Sequence, residues 1–180
     1  MSRLPIIEPA HAQAPAAGLL AAVQKALGVT PNMTKVMANS PAVLKGYLEF
    51  SGALSGGALS AAVREGIALT VAQENACDYC LSAHTHIATN LAGLTPEEAG
   101  AARRAESADV RTRAALVLAA TLVRTRGGLD DTDLKAAQDA GLTDAEVAEV
   151  IANVALNVFT NYFNKAADVD IDWPEVSHLS

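Results

Sequence analysis

Helix-start and helix-stop signals recur along almost the whole chain, and no convincing run of alternating apolar and polar residues competes with them. Thr95-x-x-Glu98 and Thr143-x-x-Glu146 read as capping boxes, in which the Thr oxygen accepts an amide of the first turn and the Glu reaches back to the cap. Pro15 stands near another helix start, and the run Leu19, Leu20, Val23, Leu27 closes at Gly28. Thr30-Pro31 and Ser40-Pro41 each join a capping side chain to a proline at the first helical position, where its missing N–H costs nothing.

Beyond a small-residue linker at 52–57, Ser60 can cap a helix running through Val63, Ile67 and Val71 to about Asn75. The next helix opens near Cys77, runs to Leu91 and stops at Gly93. An apolar helix follows around 114–123, closed by Gly127-Gly128, then a short one over 131–140. In the last helix Val147, Val150, Ile151, Val154, Val158 and Tyr162 make one apolar stripe, with Asn153, Asn157, Asn161 and Asn164 recurring alongside. The expectation is an all-α, single-domain helical bundle of about eight helices spanning 1–180, with a possible tail from about 168.

Apolar residues make up 51% of the chain and aromatics 4%, so the core must be built from Ala, Val, Leu and Ile on closely crossing helices. Several helices are apolar on more than one side, which predicts a homo-oligomer. A net charge of −7 and a pI near 5.0, with scattered basic residues, exclude a nucleic-acid binder, because phosphate contacts need clustered Lys and Arg. The first residues lack a basic region followed by an apolar run, and no apolar stretch reaches ~18 residues. A soluble cytoplasmic protein without membrane contact is expected. No glycine-rich nucleotide motif indicates a flavin or nicotinamide, so no cofactor is predicted.

Both cysteines of the chain sit in one Cys77-Asp78-Tyr79-Cys80 motif, with His84 four residues on, and a helix puts these three reactive side chains on one face. A loop this short does not make a structural staple, so redox or metal chemistry is the question. Attack on a peroxide needs a thiolate, whereas a free cysteine of pKa ~8.5 is mostly protonated at neutral pH. At a helix N-terminus Cys77 gains stabilisation as an anion, and His84 can take a proton from its helical neighbour Cys80. Either cysteine can therefore be the attacking one; the proximity of His84 favours Cys80, with Cys77 closing the disulfide on the sulfenic acid. Two inert buried thiols are the plain alternative. Zinc is the other, but Cys77, Cys80 and His84 supply three ligands, and His11, His86 and His178 add no paired cluster, so no metal is predicted.

Glu65 lies on a helix apolar on both sides. Among alanines its carboxylate would be poorly solvated and its pKa raised towards a range useful for proton transfer. The competing reading is an exposed glutamate paired with Arg64 or a neighbouring arginine.

Val63-Arg64-Glu65, then Asn75-Ala76-Cys77-Asp78-Tyr79-Cys80 and His84, closely resembles the core of the alkylhydroperoxidase D family, within the carboxymuconolactone decarboxylase superfamily. The resemblance is strongest over 60–91. The ending, with Phe-Thr-Asn-Tyr-Phe-Asn and Asp-Trp-Pro, also looks like its peroxidase-related members. It implies an all-helical fold assembled as trimers or hexamers. It also implies reduction of hydroperoxides through the cysteine pair, protons relayed by a glutamate and a histidine, and electrons supplied by a dithiol such as a lipoyl or thioredoxin-like protein. Carried over, the catalytic residues are Glu65, Cys77, Cys80 and His84. Tyr79 stands where the best-known peroxidase of the family has a histidine. The decarboxylase branch typically lacks the cysteine pair, which speaks against lactone decarboxylation. Two rivals remain: a non-enzymatic redox switch or disulfide-exchange protein, and a helical oligomer whose motif is a relic or a metal clip.

Overall fold

The computed structural model describes residues 1–179; Ser180, the end of the expected tail, lies outside them. Among the described residues the chain forms nine α-helices and a 3-10 turn at Pro9–His11, with no strand. The helices are α1 (Ala16–Leu27), α2 (Asn32–Met37), α3 (Pro41–Ser55), α4 (Ala61–Glu74), α5 (Asp78–Asn90), α6 (Pro96–Ala102), α7 (Val110–Arg124), α8 (Asp131–Asp139) and α9 (Asp144–Ala167). None is long and apolar enough to cross a membrane.

The punctuation is largely where the sequence puts it. Both Thr-x-x-Glu boxes form, Ser60 accepts the Val63 amide at 3.3 Å, and Gly28 takes the left-handed conformation that ends α1. A third box, Asp130 with Asp133, opens α8. Two expectations fail locally. Thr30 caps nothing: its hydroxyl donates to Gln24 Oε1 at 2.8 Å, and Pro31 is itself the cap of α2. Ser40 precedes α3 as expected, but its side chain accepts no amide.

Every residue from 66 to 72 is buried, which makes α4 the central helix, packed against α5, α7 and α9. Gly66 permits the close approach of α7, since a Cβ there would stand 3.1 Å from a Leu116 methyl. The main core gathers α4, α5, α6, α7 and α9, while Leu20, Met37 and Leu44 build a smaller one between α1, α2 and α3. Met33 and Phe163 pack against both.

α9 corrects the expected stripe. Ile151 and Tyr162 are 43% and 61% exposed, whereas Asn153, Asn157, Asn161 and Asn164 are buried. The inward seam is Val147, Val150, Val154, Asn157, Asn161, Asn164: alternate steps of three and four, apolar at first and amide where it passes the cysteines. Hydrophobicity alone cannot choose this face, because the polar half is inside for its chemistry.

The segment expected as a tail is packed. Asp168 ends α9 in the left-handed region (φ 50°), and the chain then runs from Ser2 and Asn32, bonded to Asp170, to α5, against which residues 172–178 lie. The Val176 amide donates to Ser82 Oγ at 2.9 Å, the His178 amide to Asp78 Oδ1 at 2.8 Å, and Arg103 to the Ser177 carbonyl at 2.6 Å.

Candidate functional site: a dithiol at the wall of an apolar cavity

Cys77 owes its position to the way α4 ends. The Ala76 amide donates to the Gln73 carbonyl (3.1 Å) and the Cys77 amide to the Ala72 carbonyl (3.0 Å), with Ala76 left-handed at φ 47°, which is a Schellman motif. Cys77 is at once the last residue of this motif and the N-cap of α5, so its sulfur sits at the helix end that favours negative charge. Cys80 follows in the first turn. Both are free thiols, 1% and 2% exposed.

The two thiols differ in acidity. A hydrogen bond from the Cys80 thiol holds Cys77 below the usual thiol pKa; burial opposes this, while the Cys80 amide, His84 and Lys165 reinforce it. Cys80 is pushed up, first by burial and then by the neighbouring Cys77 sulfur, with Asn164 and Asn161 pulling the other way. Of the two sulfurs, Cys77 is therefore the more readily ionised.

Glu65 projects from α4 towards α5, where its Oε2 accepts from His84 Nδ1 at 2.8 Å. The suggested Arg64 pairing is not formed: Arg64 donates to the Leu59 carbonyl at 2.5 Å. Burial alone would lower the His84 pKa, but the Glu65 charge and hydrogen bond, with Cys77, outweigh it and hold the imidazole above its ordinary value. Among the described residues no hydrogen bond joins His84 to Cys80, although helical spacing makes them neighbours. Each is taken by another partner, Glu65 and Asn164 respectively.

What unites the groups is a cavity of about 470 Å³ between the two cores, walled by α1, α2, α3, α4, α5 and α9. Cys80, His84 and Glu65 line it; Cys77 does not, lying behind Cys80. Val23, Leu48, Leu54 and Ile87 make much of the remaining wall apolar, and Trp173, from the C-terminal segment, closes part of it beside His86 at 5.3 Å between ring centroids. Among the described residues no three His, Cys, Asp or Glu side chains are grouped as a metal ion would require.

Several site residues escape the sequence reading. Tyr47 of α3 lines the cavity, its phenol pushed up to about 12 by burial and by the nearby Cys80 and Glu65, so it remains a hydrogen donor at neutral pH. Asn164 donates to Cys80 Sγ at 3.2 Å. Only the recurrence of asparagine at steps of three and four in α9 hinted at the latter; nothing local marked Tyr47.

The model of the carboxymuconolactone decarboxylase family matches residues 41–121, from α3 into α7 and across the whole Glu65–His84 stretch. A comparison with curated proteins found no match. Among solved structures, an alkylhydroperoxidase core described as an uncharacterized peroxidase-related protein from Ralstonia eutropha JMP134 is similar at TM-score 0.85 and 23% identity, over 95% of this chain and 92% of that one. An uncharacterized peroxidase-related protein from Silicibacter sp. TM1040 follows at 0.82 and 24%, over 94% and 91%. The debrominase Bmp8 in complex with 2,3,4-tribromopyrrole is similar at 0.78 and 21%, over 96% and 94%. The carboxymuconolactone decarboxylase family model thus matches the cysteine-bearing region of the chain, and along its length the chain has an alkylhydroperoxidase-like fold.

Proposed function

We propose that this protein reduces hydroperoxides through a Cys77–Cys80 dithiol/disulfide cycle, with Glu65 and His84 as the proton relay. One observation carries the reading: Cys80, His84 and Glu65 face a single cavity, and Cys77 stands three residues before Cys80 as the N-cap of the same helix. Passage of the Cys80 proton to a Cys77 thiolate leaves the charge on the sulfur that substrate can reach. That sulfur attacks the terminal peroxide oxygen, the O–O bond breaks, and the departing alkoxide takes a proton from the His84 imidazolium that Glu65 holds in place. Cys80 is then a sulfenic acid. Cys77 attacks its sulfur, the leaving hydroxide takes the Cys77 proton, and a disulfide and water result. In sum, two thiols and a hydroperoxide give a disulfide, an alcohol and water. A dithiol donor, of the lipoyl or thioredoxin-like kind, restores both thiols and the His84 proton. Tyr47, protonated in the cavity wall, is placed to hydrogen-bond the leaving oxygen.

A second reading draws on the cavity, which has room for a small ring as well as a peroxide. In it the same two thiols reduce a carbon–halogen bond, giving the hydrogen-bearing ring, hydrogen halide and the disulfide, by analogy with the structurally similar debrominase.

The test follows hydroperoxide consumption by the reduced protein with dihydrolipoamide as donor, beside a parallel assay of bromide release from a bromopyrrole. Multiple turnovers that vanish in Cys77→Ser and Cys80→Ser and fall about 10²-fold in Glu65→Gln or His84→Gln support the peroxidase. Bromide release alone supports the second reading. A disulfide that forms without turnover of either substrate returns the protein to a redox switch.

A further inference from the structure

α9 brings two side-chain amides towards one sulfur. Asn164 Nδ2 stands 3.2 Å from Cys80 Sγ and 3.3 Å from Met33 Sδ, while its own Oδ1 is buried without a partner. Asn161 is fully buried at 0% exposure; its Oδ1 accepts from Asn75 Nδ2 at 2.9 Å, and its Nδ2, also beside the Cys80 sulfur, has no hydrogen-bond partner. Buried amides left partly unsatisfied in this way are rare, because each forgoes hydration without a replacement. The two lie three residues apart on the inward seam of α9, and Asn164 points a donor rather than an acceptor at the Cys80 thiol, while Asn161 keeps a buried donor free close by.

We infer that Asn161 and Asn164 form a two-amide anion hole for the Cys80 thiolate, built for the charge that appears on that sulfur when its proton leaves. A neutral thiol accepts hydrogen bonds weakly, whereas a thiolate accepts several strongly, so the arrangement favours the charged form and spends its orphan donor only when the charge develops. The Asn75 contact fixes which end of the Asn161 amide faces sulfur. It does so from the C-cap of α4, the same turn that places Cys77. The direction in which the two asparagines move the Cys80 pKa agrees with this role. The inference rests on the assignment of Cys80 as attacking sulfur, but its test needs no peroxide.

Cys80 ionisation is read from the pH dependence of its alkylation by iodoacetamide in the Cys77→Ser protein, with and without Asn161→Leu or Asn164→Leu, which keep the volume and remove the donor. The other titrating groups around the sulfur are Tyr47 from α3, Glu65 from α4, His84 from α5 and, nearer Cys77, Lys165 from α9; they are common to every variant. The expected result is a profile moved to higher pH in each Leu variant, with alkylation at neutral pH slowed about tenfold or more and the high-pH plateau kept. An unmoved profile in a folded variant overturns the anion hole and leaves peroxide reduction standing. Should the Leu variants not fold, the side-chain amide resonances of Asn161 and Asn164 in the Cys77→Ser protein decide: they are expected to shift with the Cys80 titration, and pH-independent resonances overturn the inference.

Discussion

Tyr79, one of the two residues between the cysteines, donates its phenol hydrogen to Asp172 Oδ1 at 2.8 Å and accepts the Met33 amide at 3.0 Å. The other, Asp78, accepts both the amide and the imidazole Nδ1 of His178 at 2.8 Å. The turn that carries the thiols and the C-terminal segment are thereby one mechanical unit, and the same segment sets Trp173 in the cavity wall.

Removing the Tyr79 hydroxyl should loosen that unit. Tyr79→Phe abandons a charge-assisted hydrogen bond and leaves the Met33 amide without its acceptor, an expected loss of about 2–3 kcal/mol in urea unfolding. Hydrogen exchange should rise selectively over residues 169–179. Stability and exchange matching the wild type would show that the segment is held by its apolar contacts alone.

The Glu65–His84 pair has a pH signature. The folded imidazole binds its proton more tightly than the unfolded one. Its contribution to stability is therefore complete below the unfolded pKa of about 6.5 and is lost as pH rises through the folded value. In Glu65→Gln burial is left as the largest influence, so the His84 midpoint followed by NMR should fall. A midpoint unchanged by the substitution would contradict the pairing.

Ala76 holds a left-handed conformation that a Cβ disfavours. Ala76→Gly is expected to stabilise the fold by about 0.5–1 kcal/mol, after the added flexibility of the unfolded chain is set against the relieved backbone. Thermal unfolding checks this, and a lower midpoint would mean that the Ala76 methyl makes packing contacts worth more than the strain.

Val117 on α7 and Ile151, Phe159 and Tyr162 on α9 leave large apolar side chains at the surface of a single chain. Self-association is expected to cover them. Light scattering should give a multiple of the 18.5 kDa chain mass, and a monomer at micromolar concentration would contradict it.

How much could be read from the sequence follows from how local each signal is. Helix ends were legible at Thr95, Thr143, Ser60 and Gly28 because a cap is a contact between residues about three or four apart. Cys77, Cys80 and His84 were legible for the same reason, and the burial of α4 followed from its being apolar on both sides. The inward face of α9 was misread because periodicity reports a spacing, and Asn157, Asn161 and Asn164 share the spacing of the apolar seam. Tyr47 and the pinning of the C-terminal segment through Asp172 and His178 depend on pairings 30 to 100 residues apart, such as Asp78 with His178, for which a single sequence carries no local mark.

The central claim is that one chain spends its two thiols on one hydroperoxide. The most direct measurement mixes fully reduced protein with a slight excess of an organic hydroperoxide and no donor, then counts remaining peroxide and thiols and maps the cysteine peptides by mass spectrometry. One hydroperoxide is expected to be consumed and one Cys77–Cys80 disulfide formed for each chain, with the corresponding alcohol released. Peroxide left unconsumed beside two intact thiols would contradict it.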